Sequence, residues 1–132
     1  MKKLIKVVGA IIENENNEFL CALRSPRMSL PNMWEFPGGK IEGNETLKEA
    51  IEREIKEELA CEVEFFDSFN DNTHEYDKFI VNLFTVRCRL VAGTPTISEH
   101  SKLIWLHIEN LLSLKWAPAD MESVELLLSE KV

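Results

Sequence analysis

Residues 38–61 read GGKIEGNETLKEAIEREIKEELAC, and the part from Thr46 to Ala60 decides the fold. Thr46-Leu47-Lys48-Glu49 has the spacing of a capping box, in which a threonine hydroxyl and a glutamate three residues later each satisfy a backbone N–H at a helix start. Projected at about 100° per residue, Leu47, Ala50, Ile51 and Ile55 form one apolar stripe. Glu54 and Glu58 fall in the middle of that stripe, and Glu57 lies at its edge, one turn from Glu54. An ordinary amphipathic helix would carry Leu or Ile at 54 and 58. Carboxylates on a buried face are costly as bare charges or are driven to bind a proton, so something cationic must cover this face. Spacings of i, i+3 and i+4 bring the three acids together. Like charges this close repel unless a divalent ion neutralises them, and hard oxygen donors favour Mg²⁺ or Mn²⁺. The plainer alternative is a solvated acidic face paired with Lys48 and Lys56.

Outward from the helix, Gly38-Gly39 lies just upstream. Glycines there let the backbone approach a ligand and expose its N–H or C=O groups, although Gly-Gly alone is usually only a turn. Further upstream, Leu4 to Ile12 is apolar on both faces, like a buried strand. Asn14 to Asn17 is turn material, and Phe19 to Arg24 reads as a second strand. Ser25 to Met33 reads as a loop, and Trp34 to Gly39 ends in Pro-Gly-Gly, which is expected to break regular structure. Downstream, Val63 to Phe69 reads as a strand, polar Asp71 to Asp77 as a loop, Phe79 to Val91 as a long strand and Leu103 to His107 as a short one. Ile108 to Leu114 suits a helical turn, and Pro118 to Lys131 a final helix with proline in its first turn. Helices and strands in this mixed order predict one α/β domain over residues 1–132, a mixed sheet sandwiched between helices.

The composition narrows the partners. The net charge of −8 makes the chain a poor ligand for nucleic-acid polymers or anionic membranes, which recruit Lys and Arg. A small polyphosphate remains possible if cations mediate. Apolar residues make up 45% of the chain, enough for a core. Three cysteines, at 21, 61 and 88, show no CxxC spacing and suit a reduced, cytoplasmic setting over a disulfide or zinc framework. Lys6 interrupts the apolar start, which reads as a strand and not a signal peptide, and no stretch is long enough to span a bilayer.

Gly39, five residues, Glu45, seven residues and then Arg53-Glu54-Ile55-Lys56-Glu57-Glu58-Leu59-Ala60-Cys61 resembles the Nudix box, G-x5-E-x7-R-E-U-x-E-E-x-G-U, where U is a bulky apolar residue. Ala60 departs from it where the pattern has a glycine, most simply a helix C-cap. Trp34-Glu35-Phe36-Pro37-Gly38-Gly39-Lys40-Ile41-Glu42, Arg24 and Ala117-Pro118-Ala119-Asp120 are similar to the MutT-like branch of that family.

The resemblance implies a Nudix fold and cleavage of nucleoside triphosphates to monophosphate and pyrophosphate, with water attacking in line at the β-phosphorus. It implies that Glu54, Glu57 and Glu58 hold Mg²⁺ (or Mn²⁺) with a backbone carbonyl from Gly38 or Gly39. Arg53 and Glu45 are expected to pair and fix the helix carboxylates, against the reading of a surface ion pair. Glu99 is a further candidate metal ligand or base, or else a solvated loop acid. Arg24, Glu35, Phe36, Pro37, Gly38 and Asp120 are candidate substrate contacts, with a surface role open for Arg24. His74, His100 and His107 have no ligand spacing and are expected to be structural or exposed; Trp105 and Trp116 are expected in the core or a pocket wall. The ending at Asp120 is similar to the cytidine triphosphate pyrophosphohydrolase branch. An ionised carboxylate only accepts hydrogen bonds, which suits the amino group of cytosine. A plain N-terminal helix acid is its alternative. The rival functions are an 8-oxo-dGTP diphosphatase and a non-catalytic Nudix-fold binding module; either a monomer or a homodimer is compatible with the sequence.

Overall fold

The computed structural model describes residues 1–130. The strands are β1 (Lys3–Ile12), β2 (Glu18–Leu23), β3 (Trp34–Glu35), β4 (Gly38–Lys40), β5 (Glu62–Glu75), β6 (Phe79–Ala92) and β7 (Lys102–His107). The helices are α1 (Leu47–Leu59) and α2 (Pro118–Glu130), with a 3₁₀ turn over Ile108–Ser113. Lys131, expected in the last helix, lies outside the described residues.

The central sheet runs β4-β1-β6-β5, and a smaller one runs β3-β2-β7. The larger sheet is mixed: β1 is parallel to β6 and antiparallel to β4, while β5 and β6 form an antiparallel hairpin. The doubly apolar pattern of β1 has a simple cause. Val8, Ala10 and Ile12 pack toward α1, and Ile11 packs toward α2. β2 divides in the same way, Leu20 to the first core and Phe19 and Cys21 to the second. Helices therefore cover both faces, as the sequence predicts. Ile51, Ile55 and Leu59 of α1 are fully buried, which is worth roughly 1.5–3 kcal/mol each.

Two expectations need correction. Asp71 to Glu75 is not loop but the continuation of β5, paired through Glu75 to Ile80. Its polar composition reflects an edge strand, whose Asn70 and Asn72 side chains bond Glu122 and the Ala119 carbonyl of α2. Gly38-Gly39-Lys40 likewise does not break the chain but forms β4 against β1, Val8 opposite Gly39 and Gly9 opposite Gly38. A Cβ on Gly38 would stand 1.9 Å from the Val8 carbonyl oxygen. Here glycine permits a strand to lie closer to its neighbour than any side chain would allow.

Candidate active site

The capping box is formed: Thr46 Oγ1 accepts from Glu49 N at 3.1 Å, and the Glu49 carboxylate accepts from Thr46 N at 2.9 Å. It fixes the start of α1 and hence the direction of its acidic face. Glu54 is 7% exposed. A Cβ on Gly39 would lie 2.2 Å from Glu54 Oε1, so the second glycine of β4 makes room for this carboxylate. Glu45 and Arg53 form the expected pair, in a fork of 2.6 and 2.9 Å. That bond first of all holds the Glu45 carboxyl down at about 2. The same guanidinium reaches further than expected, bonding Glu54 at 3.0 Å and Glu57 at 3.1 Å through Nη1. Lys48 pairs instead with Glu52, so it does not neutralise the acidic face.

Burial is the main cause that pushes the Glu54 and Glu58 carboxyls up. For Glu58 the nearby charge of Glu99 adds to it. Oxygen donors alone, crowded and disfavoured as anions, suit a hard divalent cation. In the present geometry no three acidic, histidine or cysteine side chains among the described residues converge as a ready-made metal cage; Arg53 occupies oxygens of two of the three helix acids.

Beside α1 opens a cleft of about 430 Å³. Glu58, Glu99, Gly38 and Gly39 line it. Its other walls include Arg24, Glu35, Phe36, Tyr76, Leu83, His100 and Asp120. Asp120 reaches this position because α2 is set against β3: Trp34 N donates to the Lys115 carbonyl, and Ala117 N to the Trp34 carbonyl, both at 2.8 Å. Its buried carboxylate accepts from Phe36 N at 3.0 Å. Phe36 in turn lies against Trp116, with ring centroids 4.9 Å apart.

The NUDIX domain family matches residues 3–127. The chain belongs to the Nudix family. It is 34% identical over 123 residues to a CTP pyrophosphohydrolase of Escherichia coli K12, covering 93% of this chain and 90% of that one. It is also 34% identical over 120 residues to the 8-oxo-dGTP diphosphatase of the same organism, covering 91% and 92%. Among solved structures, a MutT protein of the Nudix hydrolase family from methicillin-resistant Staphylococcus aureus 252 is 52% identical, with a TM-score of 0.79 over 98% of this chain and 99% of that one. The fold is thus the Nudix fold, and the protein is a Nudix hydrolase.

Within this Nudix scaffold the sequence-predicted residues separate into two groups. Arg24, Glu35, Phe36, Gly38, Gly39, Glu58, Glu99 and Asp120 meet in the cleft. Glu45, Arg53, Glu54 and Glu57 stand behind or beside it, joined through the guanidinium. Pro37 is the exception. It is fully buried and its carbonyl accepts from Ala10 N at 2.7 Å, so it supports the wall instead of lining it. His74 and His107 lie outside the cleft, with His107 half exposed. Trp116 is in the core on the α2 side, and Trp105 packs against the core on the α1 side.

Two cleft residues escape a reading of spacing. His100 is buried and bonded to Glu35, and Tyr76 Oη accepts from Ala119 N at 3.0 Å. The one local hint for His100 is that it follows Glu99. Nothing local marks Tyr76, which arrives at the tip of the β5–β6 hairpin. The acceptor-only view of Asp120 also changes. Complete burial, with the Glu35 charge adding to it, pushes its carboxyl well up despite the opposing Phe36 hydrogen bond. The carboxylate is thus harder to form than in a free aspartate, and the protonated form can donate as well as accept. Among the described residues no helix is long and apolar enough to cross a membrane.

Proposed function

We propose that the protein is a Mg²⁺-dependent nucleoside triphosphate pyrophosphohydrolase that converts a (deoxy)nucleoside triphosphate and water to the monophosphate and pyrophosphate. The carrying observation is one cleft lined by Glu58, Glu99, Gly38 and Gly39 together with buried Asp120, which is bonded to Phe36 N. Glu54, Glu57 and Glu58, with Glu99 and a backbone carbonyl of Gly38 or Gly39, are the residues suited to hold Mg²⁺ or Mn²⁺. When bound, such an ion screens phosphate charge and lowers the pKa of water. The chain's own part is positional. Arg53 fixes Glu54 and Glu57, Glu45 fixes Arg53, and burial under β4 fixes Glu54. Phe36, buried against Trp116, backs the wall and holds Asp120 through its N–H, and Asp120 offers a polar edge to a base.

Two base classes compete, and both are named among the relatives. An ionised Asp120 suits the cytosine amino group; a neutral Asp120 suits a mixed donor–acceptor edge such as that of 8-oxoguanine. The likeness of the Ala117–Asp120 ending to the cytidine triphosphate branch makes cytidine-type or damaged triphosphates the preferred substrates of this reading, with 8-oxo-dGTP as the second, which the raised Asp120 carboxyl favours. The three helix acids weigh against a mere binding module. A panel of canonical and oxidised triphosphates, scored for pyrophosphate release with Mg²⁺ and with EDTA, tests the proposal. Hydrolysis that survives EDTA, or release of orthophosphate alone, would overturn it.

A further inference from the structure

His100 is the most deeply placed ionisable side chain at the mouth of the loop that carries Glu99; its side chain is 2% exposed. Nε2 lies 2.7 Å from Glu35 Oε2. The other Glu35 oxygen accepts from Arg24 Nη1 at 2.7 Å, and Arg24 is itself held by the Ser29 carbonyl at 2.6 Å and the Ser29 hydroxyl at 3.0 Å. A carboxylate only accepts, so Nε2 carries the proton and donates. Nδ1 is buried and without a partner among the described residues. An apolar side chain of the same size would avoid the cost of that orphaned nitrogen. Space filling therefore does not account for the imidazole; the bond to Glu35 does.

The loop before β7 is fastened at several points. Thr96 N donates to the Leu59 carbonyl at 2.9 Å, and Ser98 Oγ to the Glu58 carbonyl at 3.1 Å, which ties one side to the end of α1. Ser101 N donates to the Leu23 carbonyl at 2.9 Å, tying the other to β2. Glu99 sits between these ties, flanked by Ser98, bonded to the end of α1, and by His100, whose side chain is bonded to Glu35 of β3.

We propose that His100 is a positioning residue, whose Nε2–H bond to Glu35 sets Glu99 opposite Glu58 and ties the metal-side acids to the Arg24–Glu35 pair at the base side of the cleft. This inference rests on the proposed nucleotide hydrolysis for its kinetic readout, but not for its structural one. The two ends of the cleft then respond together: disturbing Glu35 moves Glu99, and removing the imidazole N–H loosens both.

Three variants separate positioning from packing. His100→Leu keeps bulk without a donor, His100→Gln returns an N–H at the reach of Nε2, and Glu35→Gln alters the acceptor. His100→Leu should lower kcat/KM on the best triphosphate roughly ten- to a hundredfold, the scale of one lost hydrogen bond to a charged group. It should also weaken binding of Mn²⁺ alone, followed by electron paramagnetic resonance. His100→Gln should recover both to within about threefold, and the losses from His100→Leu and Glu35→Gln should not add. In the unliganded wild type, ring ¹⁵N shifts should report the Nε2–H tautomer at His100, and Glu35→Gln should move them. Equal effects of Leu and Gln on Mn²⁺ binding, additive losses, or an Nδ1–H tautomer would each overturn the proposal. If the Leu variant does not fold, the tautomer and the Gln variant still decide. If the wild type hydrolyses no triphosphate, the functional reading fails, while the Mn²⁺ and ¹⁵N results still judge His100.

Discussion

On α1 and its lead-in, the charged groups come from one short stretch, Glu45 to Glu58, and several keep contact with water; the Glu57 side chain is 57% exposed. At the α2 side, Arg24, Glu35, His100 and Asp120 come from four distant parts of the chain, and their side chains are nearly all withdrawn from solvent. A cluster built on a helix turn is fixed by spacing alone and can afford flexible, exposed acids that await a cation. A cluster assembled across a sheet, a loop and a second helix is fixed only by the completed fold, and it keeps its geometry by burying hydrogen bonds. On the proposed function, the first arrangement would serve to hold the ion and the second to discriminate between bases.

The sharpest break in this comparison is expected from the α1 side. Glu58→Gln, which keeps shape and removes charge, should reduce Mg²⁺-dependent turnover about a hundredfold or more while the ranking of bases stays fixed. Measurement of kcat across the substrate panel checks this; near-wild-type turnover would remove the acidic helix from the chemistry. The mirror experiment is Asp120→Asn. It should cut kcat/KM on CTP or dCTP about ten- to a hundredfold, the scale of one mismatched polar contact, and leave the affinity for Mn²⁺ unchanged. An unaltered ranking of bases would reduce Asp120 to a helix-terminal acid.

Acid and base titration separates the two sides by sign. The folded-state pKa of Asp120 is raised. Its share of stability is therefore complete below the ordinary aspartate value and is lost as the pH climbs through the raised one. Glu45 is depressed to about 2. Its share is present above the ordinary glutamate value and disappears as the pH falls toward 2. A melting-temperature profile of Asp120→Asn should accordingly decline less on the alkaline side than that of the wild type; parallel curves would mean the carboxyl is not strained by its burial. The smallest effect concerns the end of α1. Ala60 caps the helix in the left-handed region, with φ 54°. Relieving that conformation by Ala60→Gly should stabilise the protein by about 1 kcal/mol, raise the melting temperature by about 2–5 °C and spare turnover. A lower melting temperature would show that the cap does not strain the backbone.

These contrasts also explain what could be read from the sequence. The capping box and the acidic stripe depend on separations of a few residues, which helical geometry converts directly into contacts, while the Glu45–Arg53 pair and the cap at Ala60 were legible only through the resemblance to the Nudix box. β1 was legible because both of its faces are buried. The extension of β5 to Glu75 was not, since an edge strand answered by α2 side chains has the polar composition of a loop. β4 was missed for a related reason: Gly38 and Gly39 look like chain breakers until the Val8 backbone and the Glu54 carboxylate occupy the space their missing side chains leave. Tyr76, His100 and the bond from Phe36 N to Asp120 depend on sheet register and on where α2 lands, which no local pattern carries.

The pairing of β1 has a consequence for how the chain is made. Its partners are β4, about a third of the way along, and β6, whose matching residues run from Phe79 to Cys88. A parallel pair cannot close through a tight turn. The β4 side of β1 can therefore close early, but its β6 side stays unpaired until Phe79–Cys88 has been synthesised, and for that interval it is an open edge on which non-native pairing can start.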